Sequence, residues 1–230
     1  TTTTDGAVTV TQGKLEGLSL TSVDFDDSSS DYITTNTSAL SAIGAGDWTM
    51  SAWITKEETH NGKILTKLAS GWNGGNEGVS FEWKHGDADK LRIEQASVYL
   101  DSVSDFASDN TWYHIVTARN GNTGFKIWVN GVLDASGLTS GSLSGSKTLN
   151  TSSPFNIGRY GDIDSGYYDG QIRDVRVYDY QLSDDQVASL YSGSYNVTPL
   201  NWWKLDDGID GTATTTAVDS GTGTAYNGTL

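Results

Sequence analysis

The 230-residue chain has no cysteine and only two prolines and one methionine. The absence of cysteine excludes a disulfide framework and any reaction that needs a thiolate nucleophile. A cysteine-free chain is compatible with an extracellular life for a bacterial or viral protein and is less usual for a secreted animal one. A length of 230 residues fits one large β-sandwich with a sizeable core.

Long apolar runs and basic residues are also scarce. No apolar run reaches the roughly 18–20 residues of a membrane-spanning helix, so we expect no membrane insertion. The chain has 14 basic and 29 acidic residues, a net charge of −15, which disfavours binding to nucleic acids and to anionic membranes. An acidic surface suits solubility in salt or the coordination of hard cations. The sequence starts at Thr1 without a leader pattern, so a leader was removed or the chain is part of a longer protein.

Most of the sequence shows the two-residue alternation that is typical of β-strands. Trp48–Ile54 places its large apolar residues on one face, and residues 79–83 do the same. Asn130 and Gly131 predict a tight hairpin, because both tolerate positive φ. Further strands are predicted at 19–26, 91–95, 112–119, 125–130, 155–157 and 170–178. The alternation predicts antiparallel strands with one covered face and one more polar face.

A single short helix is predicted after the last of these strands, over residues 183–191. Ser183 is a good N-cap with Gln186 three residues later, Asp184 and Asp185 occupy the first turn, and Gly193 marks the end. Elsewhere only a short turn near residues 38–43 is expected.

Several motifs in order resemble the laminin-G-like modules of the concanavalin A-like lectin and glucanase superfamily. They are Phe25-Asp26 followed by Asp31-Tyr32-Ile33, the strand Trp48–Ile54, and the segments 112–119, 125–131, 156–158 and 170–178. The resemblance implies an all-β fold, an antiparallel two-sheet jelly-roll sandwich with one short helix. Arg173 stands where the family often has an acidic residue that helps to hold calcium, and its neighbour Asp174 is expected on the opposite face of the strand.

The resemblance also divides the chain into three parts. Residues 1–17 are an N-terminal linker or edge strand, and residues 18–200 form the jelly-roll domain. Residues 201–230 resemble the motif that normally opens such a module. This last segment either completes a sheet, in the same chain or in a neighbour, or starts a second module. Completion of a sheet is favoured, because Trp202 and Trp203 would otherwise be exposed to solvent.

Catalytic motifs are missing from the sequence. The acids in strands, such as Glu82 and Glu94, are isolated, whereas retaining glycosidases need two carboxyl groups about 5 Å apart. There is no Gly-x-Ser-x-Gly motif, and the three histidines lack metal-ligand spacing. We therefore predict that the chain is not an enzyme.

Two kinds of binding site are predicted instead. Asp206, Asp207, Asp219 and Asn227 are candidate ligands of a structural Ca²⁺, since this ion prefers oxygen ligands, and the alternative is that they are solvated turn residues. Aromatic residues in polar loops suggest glycan contacts, and the alternative is that they cap the sandwich. These candidate ligand-binding residues are Trp72, Asn73, Tyr160, Asp162, Asp164, Tyr167 and Tyr168.

The functional hypothesis that follows is a non-catalytic recognition module for a glycan or a host cell-surface polysaccharide. The Thr-rich start and the late Trp-Trp-Lys-Leu-Asp-Asp-Gly segment are similar to modules of bacteriophage virion proteins, which implies an extracellular or virion-surface location, other virion subunits as partners and a homo-oligomer as one option. The alternatives are a purely structural decoration or assembly domain and, third, a glycoside hydrolase.

Overall fold

The computed structural model describes residues 22–57, 61–68, 78–84, 89–106, 110–143, 147–149, 152–161, 165–194, 197–206 and 215–230. These residues contain fifteen β-strands and one α-helix. The first strands are β1 (Val23–Phe25), β2 (Ile33–Thr34), β3 (Trp48–Ile54), β4 (Gly62–Lys67), β5 (Val79–Lys84), β6 (Lys90–Gln95), β7 (Val98–Asp101) and β8 (Tyr113–Asn120). The others are β9 (Gly124–Val129), β10 (Val132–Gly137), β11 (Asn156–Ile157), β12 (Gly170–Tyr178), β13 (Asn201–Trp203), β14 (Thr216–Ala217) and β15 (Gly228–Thr229), and the helix is α1 (Asp184–Ser192).

The strands form two antiparallel sheets. Sheet A has the order β1-β12-β3-β8-β9-β10, with β13 also paired to β12, and sheet B has the order β14-β15-β2-β11-β4-β5-β6-β7. The apolar sides of both sheets meet in one core, which includes Trp48 and Trp203 from sheet A and Phe81 and Trp83 from sheet B. The predicted all-β, two-sheet jelly-roll sandwich with one short helix is confirmed.

The helix α1 covers the outer face of sheet A. Its N-cap is Ser183, whose side chain accepts a hydrogen bond from the backbone N–H of Gln186 in a complete capping box, and Gly193 ends it with a φ of 81°. Val187 and Leu190 of α1 pack with Trp128 and Tyr178 of sheet A. Tyr191 of α1 also stacks on Trp53 of β3, and Thr49 of β3 is hydrogen-bonded to the segment before α1. Both faces of β3 are therefore buried, although the sequence predicts one more polar face.

The segment after residue 200 belongs to the sandwich of its own chain. In β13, Trp203 pairs with Val175 of β12, while β14 and β15 extend sheet B through the pairing of Thr229 with Thr34. The ring of Trp203 is fully buried and stacks on Phe155 with 5.3 Å between ring centroids. The segment therefore completes both sheets. The predicted N-terminal part, residues 1–17, lies outside the described residues.

A β-bulge in β12 corrects one prediction. The register with β3 shifts between Arg173 and Arg176, and Asp174 in the bulge has a φ of 56°. The extra residue turns the Asp174 carboxylate to the outer side, where it accepts hydrogen bonds from Arg176 and from the indole N–H of Trp202. Asp174 is thus on the same face as Arg173, because a bulge breaks the alternation that a regular strand would have.

Within the described residues, no helix has the length and apolar character that a membrane crossing requires.

Candidate functional site

The outward face of sheet B has a band of charged, hydroxyl and aromatic side chains across four adjacent strands. Alternation along β5 and β6 buries Phe81 and Ile93 in the core and turns the residues between them outward. Strand pairing then sets these outward residues side by side, with Glu82 between Lys63 of β4 and Arg92 of β6. We call this set the polar band, and it consists of Lys63, Ser80, Glu82, Lys84, Arg92, Glu94, Tyr99 and Asp101.

The centre of the polar band is an ion pair between Lys63 and the buried Glu82. The hydroxyl of Ser80 donates a hydrogen bond of 3.3 Å to the same Glu82 carboxylate. Burial, and then repulsion from Lys84, lowers the pKa of Lys63 to about 8. The lysine and its carboxylate partner therefore occupy a site with restricted access to water, where a hydrogen bond to a ligand is stronger than on open surface.

Glu94 occupies the middle of the polar band and is half-buried. Burial raises the pKa of its carboxyl group, although the positive charges of Arg92, Lys63 and Lys84 oppose this shift. Within the part of the chain that the structure describes, neither Glu94 nor Lys84 makes a direct hydrogen bond or ion pair through its side chain.

One end of the polar band is rigid. The guanidinium of Arg92 donates two hydrogen bonds to Asp101, of 2.6 and 2.9 Å, and lies over the ring of Tyr99 at 3.8 Å from its centroid. A bidentate pair of this kind fixes the side chains in one geometry. The guanidinium of Arg92 thus restricts the motion of the Tyr99 ring at this edge of the surface.

Tyr160, which follows β11, adjoins the polar band at its other end. Its ring lies 5.1 Å from the ammonium of Lys63, and burial raises the pKa of its hydroxyl. A second aromatic group adjoins it: Tyr167 contacts Tyr32 at 6.3 Å between ring centroids, and Arg159 lies over Tyr32 at 3.6 Å. Tyr32, Tyr160 and Tyr167 are all half-buried, so aromatic rings lie next to cations in this region.

The predicted ligand-binding residues lie in different environments in the structure. Tyr160 and Tyr167 are half-buried at the end of the polar band. The prediction for Tyr168 is wrong: its ring is buried in the core and its hydroxyl donates a 2.6 Å hydrogen bond to the carbonyl of Thr55, because adjacent residues of an extended chain point to opposite sides. The others, Trp72, Asn73, Asp162 and Asp164, lie outside the described residues.

The predicted calcium ligands near the C-terminus form a different kind of centre. The carboxylate of the buried Asp219 accepts four hydrogen bonds, and its backbone N–H donates to the side chain of Asn227. The four donors are the backbone N–H groups of Trp202, Gly221 and Tyr226 and the side-chain amide of Asn201. A carboxylate has about four lone-pair positions, so all of them are used within the protein. The role of Asp219 as a calcium ligand stays a prediction, and the structure shows its carboxylate bound by donors of the protein. Asp206 is half-buried and Asp207 lies outside the described residues.

A separate group of carboxylates is formed by Asp26, Asp27 and Asp169, whose oxygens lie within 4.8 Å of one another. The Asp26 carboxylate already accepts hydrogen bonds from Ser28 and Ser29, and these bonds lower its pKa. Nothing beyond this proximity indicates a bound ion, and exposed acids commonly come together without one.

Sequence reasoning missed the polar band because it did not predict β4. The strand contains a register shift between Lys63 and Leu65, so the two apolar residues Ile64 and Leu65 are adjacent and hide the alternation. Without β4, Glu82 and Glu94 were interpreted as isolated acids, whereas the structure places them on one face with Lys63.

The fold and this surface define the class of the protein: a lectin-like jelly-roll sandwich with a polar, aromatic-edged sheet face. A comparison with protein families agrees. The laminin-G-type family described as the concanavalin A-like lectin/glucanases superfamily matches residues 27–188, and the chain belongs to this family.

Solved structures with a similar fold include a candidate carbohydrate-binding protein from Bacteroides ovatus, with a TM-score of 0.61 and 19% identity over 90% of this chain and 57% of that one. The receptor-binding domain of botulinum neurotoxin C/D mosaic serotype matches with a TM-score of 0.50 and 16% identity, over 77% of this chain and 45% of the other. The chain thus spans little more than half the length of the Bacteroides protein. At these identities the likeness concerns the fold. No curated protein matches the sequence.

Proposed function

We propose that the chain is a non-catalytic recognition module that binds carbohydrate on the outward face of sheet B. The observation that supports this most strongly is the polar band itself, where half-buried charged groups lie between tyrosine rings at both ends. Sugars present hydroxyl groups at their edges and apolar C–H groups on their faces, and a surface with both hydrogen-bonding groups and aromatic rings matches both.

The size of the polar band suits a ligand longer than one sugar ring. It crosses from β4 to β7, three inter-strand steps of about 4.8 Å, or roughly 14 Å in total. The helix α1 packs on the other sheet, so it does not cover this face. A surface of this length suits a stretch of polysaccharide rather than a single sugar ring.

Hydrolysis of the bound glycan is not part of this proposal. A retaining glycosidase needs one carboxylate free to attack and a second free to donate a proton. In the polar band, Glu82 is held by Lys63 and Ser80 and Asp101 by Arg92, so Glu94 is the one acid of the band without a direct partner among the described residues. One free carboxyl group does not make the required pair.

A glycan array of the wild-type protein and of Tyr160→Ala tests the proposal. We expect binding to at least one glycan class and a loss of about tenfold or more in affinity for Tyr160→Ala, equivalent to roughly 1.4 kcal/mol. Tyr180→Ala is the matched control, since Tyr180 is 38% exposed and lies after β12, outside the polar band.

A wild-type protein that binds no glycan on the array would contradict carbohydrate recognition. If Tyr160→Ala and Tyr180→Ala both bind like the wild type, the site is elsewhere. Release of reducing sugar from any bound glycan would contradict the non-catalytic assignment.

An assembly role is the second candidate, and one observation favours it. Val103 and Val132 are 72% and 69% exposed, and the backbone of Val103 is hydrogen-bonded to Asp134 of the sheet edge β10. Aliphatic residues at an open sheet edge suit contact with another subunit. Concentration-dependent self-association of a protein that binds no glycan would favour this role.

The wider context is proposed from the sequence resemblance: an extracellular or virion-surface protein that recognises a host polysaccharide beside other subunits. A structural calcium ion is proposed on the same basis, with Asp206 as a candidate ligand.

A further inference from the structure

We propose that the polar band selects acidic sugars, with Lys84 as the cation that contacts the ligand carboxylate and with Lys63 and Arg92, which are held in ion pairs, as neighbouring positive charges. This inference rests on the proposed carbohydrate binding and names the class of its ligand. It follows from how charge is distributed over the outward face of sheet B.

The polar band is rich in positive charge for this protein. The whole chain has 29 acidic and 14 basic residues, whereas the polar band contains as many cations as acids, three of each. Arg159, beside Tyr160, adds a fourth cation at the aromatic end. The excess of acidic over basic residues in the whole chain is therefore absent from the polar band.

Two of the three acids form ion pairs within the polar band. Glu82 is paired with Lys63, and Asp101 with Arg92. The third acid, Glu94, pairs with Ser80 on β5 and with Tyr99 on β7. The other charged groups on these two strands are Glu82, Lys84 and Asp101. Arg92 lies on the same strand as Glu94, and Lys63 and Tyr160 lie beyond β5. Lys84 has no direct partner among the described residues.

Glu94 lies where three cations face a carboxylate. Burial raises the pKa of its carboxyl group and Asp101 adds to this shift, while Arg92, Lys63 and Lys84 oppose it by stabilising the carboxylate. Lys63 in turn experiences repulsion from both Lys84 and Arg92. A ligand carboxylate on this surface would interact with the same three cations and relieve their repulsion. Glu94 would compete with it, which makes Glu94 the residue that sets the strength of the preference.

The test compares two polysaccharides that differ only in charge: polygalacturonate and its fully methyl-esterified form. Binding of each is measured by calorimetry or affinity electrophoresis for the wild type, Lys84→Gln and Glu94→Gln. Lys204→Gln is the matched control, because Lys204 lies beside Trp202 on the outer face of sheet A. A second pair, chitosan and its N-acetylated form, tests the opposite charge.

We expect the wild type to prefer the acidic polymer by about fivefold or more, the scale of one partly exposed charge contact. Lys84→Gln should reduce this ratio, Glu94→Gln should increase it, and Lys204→Gln should leave it unchanged. The preference should weaken as salt is raised, since screening acts on exposed charges.

Equal binding of the esterified polymer, or a preference for chitosan, overturns the selection of acidic sugars while carbohydrate binding stands. An unchanged ratio in both Lys84→Gln and Glu94→Gln overturns the assignment to these cations. Failure to bind any glycan, neutral or charged, overturns the proposed function itself and this inference with it.

Discussion

At the scale of single residues, Asp219 shows how a sequence motif for metal binding is used for hydrogen bonding. Its carboxylate joins β13 to the loop after β14 through the backbone N–H groups of Trp202, Gly221 and Tyr226. Donors of this kind stabilise a negative charge in the way a cation would. The carboxylate therefore links these parts of the chain through the protein's own donors.

Replacing Asp219 should be costly. In Asp219→Ala, four donors lose their acceptor, and a buried unsatisfied donor costs about 1–3 kcal/mol. We expect a loss of about 3 kcal/mol or more in the free energy of unfolding, measured by urea denaturation. Asp206→Ala, measured in calcium-free buffer, is the control and should cost less than about 1 kcal/mol, because Asp206 is half-buried and accepts no comparable hydrogen bonds from the described residues.

The same samples test the calcium proposal through their melting temperatures. An ion held only by the folded state stabilises it, so EDTA would lower the melting temperature if calcium were bound. If calcium is bound as proposed, we expect EDTA to lower the melting temperature of the wild type by several degrees and added calcium to restore it. A melting temperature that EDTA leaves unchanged would contradict calcium binding.

Single residues also mark the limit of prediction from sequence. Tyr167 and Tyr168 have the same side chain in the same loop, and both were predicted to contact a ligand. The structure turns Tyr167 toward Tyr32 at the surface and Tyr168 into the core against Thr55. Only the path of the backbone decides which neighbour faces outward.

At the scale of secondary structure elements, strands with regular alternation were predictable and irregular ones were not. β3 and β12 have the predicted bounds. The helix α1 begins and ends near the predicted capping residues Ser183 and Gly193. Alternation and capping residues are local features of the sequence, so they could be recognised without the structure. β4 was not predicted, because its register shift hides the alternation. The bulge at Asp174 places this side chain on the face opposite to the one expected from alternation. Both irregularities depend on pairing with distant strands, which no local pattern records.

The short strand β13 provides a matched test of the role of the C-terminal segment. Trp203 is fully buried against Phe155, whereas its neighbour Trp202 points to the outer face and is half-buried. We expect Trp203→Ala to cost about 3–5 kcal/mol, the range for large aromatic residues in a core, and Trp202→Ala to cost clearly less. Chemical denaturation of both variants measures the difference. Equal costs would contradict the place of β13 in the core.

At the scale of the whole molecule, the sandwich has two unlike outer faces. On sheet A, α1 and the stacked rings of Trp53 and Tyr191 cover the strands. On sheet B, the half-buried charged groups of the polar band lie between Tyr99 and Tyr160. The sequence could predict the two sheets, but not which outer face is covered, because that depends on where α1 folds back. The candidate site was for the same reason predicted only at its loop end, at Tyr160 and Tyr167.

The central claim is that the outward face of sheet B is the surface that binds a glycan. Its most direct test is an amide chemical-shift titration of the isotope-labelled 24.6 kDa chain with a short oligosaccharide of a glycan that binds on the array. We predict that the largest shifts occur in β4–β7 and around Tyr160, with little change in α1, β8 and β9. Shifts concentrated in α1, β8 and β9, or none at saturating ligand, would contradict the claim.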